Sequence, residues 1–88
     1  MSKGSDMLLD AARTIAERGR VYGDAAENME RTAQLWSIVL GVPVTPVQCA
    51  LCLVQLKVAR LLVTPDHSDS AVDIAGYAAV LCEAQADV

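Results

Sequence analysis

Two cations stand inside an apolar run: "CLVQLKVARLLV", residues 52–63, contains Lys57 and Arg60. On a helix, residues three apart share one face. A charge among core-like neighbours must be paired or neutralised by a bound ion, because burying it alone is costly. Arg offers a planar fork for phosphate and Lys a compact point charge. Acceptors lie on both sides of the run in sequence. Tyr22, Asp24, Glu27 and Asn28 precede it, and Asp66, His67, Asp69 and Asp73 follow it. If the chain doubles back after Val63, Lys57 and Arg60 face Asp69 and Asp73. With the segment around Asp24 at the same end of the molecule, the three polar groups converge. One reading is a buried ion-pair network in which Lys57 and Arg60 neutralise Asp73 and Asp24. The other is an anion site, to which the amino end of the following helix adds backbone N–H donors.

Other residues extend the second reading. Tyr22 and Tyr77 can stack on a base, although core tyrosines with one satisfied hydroxyl are commoner. Asn28 and Asp73 can pair with base or ribose edges. Glu27-x-x-Glu30 puts two carboxylates on one helix face, and with Asp69 and Asp73 they form an alternative magnesium set. Cys49-x-x-Cys52 has only Cys82 and His67 as further zinc ligands, and no strand precedes it as in a thioredoxin-type motif. Three cysteines without a secretory signal fit a reducing cytoplasm and small core thiols. No Ser–His–Asp order and no glycine-rich phosphate loop is present.

The elements that must hold these residues read as four helices over about 5–18, 25–40, 46–63 and 69–85. Ser5, Asp24, Thr45 with Pro46, and Asp69 or Ser70 are the expected starts, with Ser70 and Asp73 as a capping box. "RGRVYGD", "GVPVTP" and "TPDHSDS" are the expected breaks, with Gly41 ending the second helix. The third helix, apolar nearly all round, is expected at the centre, and Gly76 is expected to permit close helix contact. Short connections give an all-α, compact four-helix bundle as a single domain over 1–88.

Hydrophobic residues make up 53% of the 88-residue chain, too many for so small an interior, so part of that surface is expected to meet another copy of the chain. Trp36 is a candidate for packing or for that contact. A net charge of −4 argues against nucleic-acid polymers and anionic membranes as partners. The apolar run from Val47 to Val63 contains two glutamines and two cations, which favours a buried helix over a membrane span.

The segments "YGDAAEN", "LW", "LKVARL" and "DSAVDIAGYAA", spread over residues 22–79, resemble an uncharacterised family of short bacteriophage proteins. In helical order that family is similar to the MazG-like all-α nucleotide pyrophosphohydrolases. Those enzymes are oligomers that hold magnesium with E-x-x-E on one helix and E-x-x-D on the next. Laid on that pattern, Lys57-x-x-Arg60 stands where the first acidic pair would be and Ser70-x-x-Asp73 where the second would be. Two cations repel a magnesium ion but can grip phosphate directly. The resemblance therefore implies a homo-oligomer in the cytoplasm of the infected host. By analogy with small oligomeric phage proteins of unrelated folds that sequester nucleotide immune signals, it would bind a phosphate-containing nucleotide, of cyclic dinucleotide or ADP-ribose type, without hydrolysing it, and so inhibit host anti-phage signalling. The expected ligand-binding set is Lys57, Arg60, Asp73, Tyr22, Asn28, Asp24, Asp69 and Tyr77, with no catalytic residue and no cofactor. One alternative is a magnesium-dependent pyrophosphohydrolase using Glu27, Glu30, Asp69 and Asp73. Another is a structural or interaction module.

Overall fold

A computed structural model describes residues 2–22 and 24–85, with the Tyr22 side chain outside the described residues. It shows an all-helical, four-helix arrangement: α1 (Lys3–Tyr22), α2 (Ala25–Leu40), α3 (Pro46–Val63) and α4 (Ser68–Gln85). The boundaries of α2 and α3 are local chemistry. The Asp24 carboxylate accepts from the Glu27 N–H at 3.3 Å. Gly41, at φ 72°, closes α2 in the left-handed conformation and donates to the Ser37 carbonyl. Thr45 and Gln48 form a reciprocal capping box, with Pro46 in the first turn of α3. Ser37 ties the connector down: its Oγ accepts from the Val44 N–H at 2.8 Å and donates to the Ala33 carbonyl at 2.7 Å.

Both other helices start differently from expectation. Ser2, rather than Ser5, caps α1, its Oγ accepting from the Ser5 N–H at 3.1 Å. α1 also runs through Gly19 to Tyr22 instead of breaking in "RGRVYGD". A helical glycine costs about 1 kcal/mol relative to Ala, which packing of the rest of the helix can override. α4 begins at Ser68, so the N-cap position belongs to His67 rather than Asp69 or Ser70. The His67 Nδ1 accepts from the Ser70 N–H at 3.2 Å and lies 2.7 Å from the Ser70 Oγ. An N–H can only donate, so the neutral ring keeps its proton on Nε2.

The core is built of small residues. Met29 and Ala33 from α2 meet Cys49 and Ala50 from α3, with Trp36, Val44, Leu53, Val80 and Leu81 packed around them. The central helix is α4, which packs most extensively and against all three others; α2 also reaches all three but more lightly, whereas α3 packs on α4 and α2. This corrects the expectation that α3, as the most hydrophobic helix, sits in the middle. Hydrophobicity ranks what a helix can bury, but α4 has the small residues (Ser70, Ala71, Ala75, Gly76, Ala84) that let neighbours approach on several sides. Gly76 is not there for closeness, since a Cβ added to it would meet nothing within 4 Å.

The His67 cap makes a testable case. Replacing His67 with Ala should lower stability by about 1 kcal/mol in urea denaturation. His67→Asp should retain it, because a carboxylate accepts the same N–H and suits the positive end of the helix dipole. Equal losses for both variants would mean the ring does more than cap.

Candidate functional site

Lys57 and Asp73 are placed at equal distances either side of Pro65, so the turn after α3 brings them together across the α3–α4 contact. The Lys57 Nζ lies 2.8 Å from Asp73 Oδ2, and both side chains are largely buried. Arg18, from the last turns of α1, approaches the other carboxylate oxygen, Oδ1, at 3.8 Å. The Arg18 side chain is 55% exposed, so this second pairing is loose and weak. One carboxylate thus stands between two cations, leaving a local charge of +1 in a chain of net −4.

Asp73 and Arg18 lie in the wall of a cleft of about 590 Å³, within the usual size range for small-molecule sites. All four helices contribute to it. Thr14, Ile15, Arg18 and Gly19 come from α1, and Ala25, Asn28, Met29 and Thr32 from α2. Leu53 comes from α3, and Val72, Asp73, Gly76, Tyr77 and Val80 from α4. Its lining is mainly apolar, with Arg18 and Asp73 as its charged residues. Lys57 is absent from the lining and sits behind Asp73.

Three expected ligand residues therefore share this cleft: Asp73, Asn28 and Tyr77. Lys57 touches it only through Asp73. Arg60 does not belong to it. A three-residue step turns a helix about 60° short of a full circle, and here the edge of the α3–α4 contact falls within that angle. Lys57 is buried, while Arg60 is exposed and lines a separate shallow groove with Leu56, Ala59, Val63, Thr64 and His67. Asp24 is occupied as a helix cap and Asp69 is exposed in the first turn of α4, both outside the cleft. The expectations that Arg60 and Asp69 join the Lys57–Asp73 pair, and that Asp24 pairs with a cation of α3, are corrected accordingly. Tyr22, as a side chain, lies outside the described residues. Glu27 and Glu30 are exposed on α2. Among the described residues no three Asp, Glu, His or Cys side chains gather as a metal site, so Glu27, Glu30, Asp69 and Asp73 do not form one group.

Arg18 is the cleft residue that sequence reasoning missed. Its signal was present: Ala11, Thr14, Ile15, Arg18 and Gly19 follow one helical face. Reading a break at Gly19 cut that face short. The cysteines fall outside the cleft. Cys49 is fully buried, and burial, reinforced by neighbouring Cys52, raises its thiol pKa, which makes it a packing residue rather than a nucleophile.

A family model described as a domain of unknown function, DUF6378, matches residues 6–85. The chain belongs to the DUF6378 family. Every cleft residue lies inside that DUF6378 match. The chain is 47% identical over 77 residues to the Gene 55 protein of Mycobacterium phage L5, covering 84% of this chain and 49% of that protein. It is 34% identical over 76 residues to the Gene 55 protein of Mycobacterium phage D29, covering 84% of this chain and 50% of that one. This DUF6378 chain therefore spans about half the length of these curated phage relatives. No solved structure matches it.

The buried pair predicts strong coupling. Lys57→Met or Asp73→Leu alone should each destabilise by about 3 kcal/mol, because each leaves a buried partner uncompensated. Lys57→Met combined with Asp73→Leu should cost much less than the sum, measured by a double-mutant cycle in urea. Gly76→Ala, open on its cleft side, should raise stability by roughly 0.5–1 kcal/mol in the same assay.

Proposed function

We propose that this bacteriophage-family protein binds a phosphate-containing nucleotide in the four-helix cleft without hydrolysing it, sequestering a signal of host anti-phage defence in the infected cell. The observation that carries the reading is the cleft's pairing of a loosely held Arg18–Asp73 ion pair with a mainly apolar lining. Arg18 is held only loosely by Asp73 and can turn its guanidinium to a phosphate. The buried Lys57 holds Asp73 in place when Arg18 moves. Asp73 and Asn28 then meet donors on the base edge, and Tyr77 supplies a ring face among the apolar lining residues. In this scheme Arg18 takes the role first expected of Arg60, and Lys57 acts through Asp73 rather than on the ligand.

The absence of hydrolysis follows from the donor set. In the MazG-like pattern, the acidic pairs hold magnesium, which polarises phosphate and generates the nucleophile. Here the corresponding positions carry Lys57, Arg60, Ser70 and an Asp73 already engaged by Lys57. The Lys57–Asp73 pair also favours a second reading, in which the polar cluster only locks two helices of an interaction module together.

The test is to incubate the protein with a panel of mononucleotides, cyclic dinucleotides and ADP-ribose species, with and without magnesium. Bound material is then released by heat and analysed. Intact recovered ligand is expected. Calorimetry should show Arg18→Ala weakening binding by about tenfold or more, the usual scale for a charged hydrogen bond, while Arg60→Ala leaves it unchanged. Magnesium-dependent cleavage would favour the pyrophosphohydrolase, and no uptake of any ligand would leave the interaction module.

A further inference from the structure

α3 packs with one side only. Its outward face carries Leu51, Cys52, Leu56, Ala59, Leu62 and Val63, all exposed, with Leu62 and Val63 more than 80% so. Cys52, Leu56, Ala59 and Val63 follow steps of four, three and four residues, the spacing of a helix–helix seam. Gln48 and Gln55 are the polar residues of this face, and Arg60, at its edge, is the charged one. No described segment of the chain lies over it.

We propose that this face is the interface with a second copy of the chain, α3 packing against α3 about a two-fold axis. The surface area argues for it. The protein exposes 6143 Å², whereas a folded monomer of 9.3 kDa exposes roughly 5,000 Å² by the usual scaling. The surplus of about 1,100 Å² exceeds the roughly 800 Å² that each partner contributes to a standard interface. The shape agrees: the radius of gyration is 13.7 Å, against about 12 Å for a compact domain of this length. A two-fold contact needs a self-complementary patch. A nearly uncharged seam meets that need, because it brings two acidic chains together without setting like charges opposite each other. The shallow groove between Ala59, Val63 and His67 beside the seam offers a place for a side chain from the partner.

A bilayer is the competing cover, since α3 is long and apolar enough to cross a membrane. Its other face, however, is engaged by α4 and α2 and carries the Lys57–Asp73 ion pair. Its outer face also carries Gln48, Gln55 and Arg60, which are costly in lipid. A protein partner that leaves water at the rim suits such a face better.

The three cysteines give a built-in probe. In the unmodified protein, labelling of Cys52 by a thiol reagent should slow several-fold as concentration rises through the association range. Cys82, exposed on α4, should keep its rate, and buried Cys49 should stay slow throughout. Sedimentation should show twice the 9.3 kDa chain mass. The double variant Leu56→Glu/Val63→Glu should sediment as a monomer with an unchanged helical spectrum, while Ile38→Glu/Val39→Glu on α2 should remain a dimer. The proposal is overturned by a protein that stays monomeric at millimolar concentration, by Cys52 labelling that ignores concentration, or by association that survives the α3 double variant. Co-flotation of the unmodified protein with lipid vesicles would overturn it in favour of a bilayer. If the double variant does not fold, the Cys52 rates decide. Nucleotide binding is read separately, so either proposal can fail without the other.

Discussion

A lysine whose side chain is nine-tenths buried must find an anion, and in this protein that constraint organises the fold. The Lys57–Asp73 contact at 2.8 Å links α3 to α4 at one register. A slip of one residue along either helix would swing one charge away and leave the other buried and unpaired, at a cost comparable to much of a small domain's stability. The small side chains of the core, mostly Ala and Cys, allow many near-equivalent packings of apolar surface. A directional ion pair discriminates among them where shape alone discriminates poorly.

From that fixed register the rest follows by geometry. With α3 and α4 locked, α4 presents Asp73, Gly76, Tyr77 and Val80 to the space that α1 and α2 enclose. α4 can serve as the hub because its residues are short enough to admit a neighbour on each of several sides. The cleft is thus a gap between four helices that meet around small residues, and its polar end is the exposed edge of the same ion pair. Stability and site chemistry share Asp73: one oxygen is committed to the interior and the other is left for Arg18.

The exposed leucines, isoleucine and valines on α2 and α3 are the reverse of this economy. A core of few, small residues encloses little surface, so a chain that is half hydrophobic leaves much of it outside. The excess area follows from that composition and from the small interior that 88 residues can enclose.

What the sequence determined by itself is mainly local. The ends of α2 and the start of α3 were readable because Asp24, Gly41, Thr45 and Pro46 act on backbone groups within four residues of themselves. The Lys57–Asp73 meeting was readable too, because a short turn constrains which residues of consecutive helices face each other. DUF6378 membership was foreshadowed only as a resemblance to small phage proteins. The tertiary structure alone decided that Arg60 faces outward, that Arg18 reaches Asp73, that α4 and not α3 is the hub, and that His67 caps α4. Each of these depends on where one helix's contact ends or another's begins, and about 60° of helix rotation separates a buried cation from a solvated one. Sequence spacing gives the angles between residues on one helix. Only packing against the other helices says where on that circle the water starts.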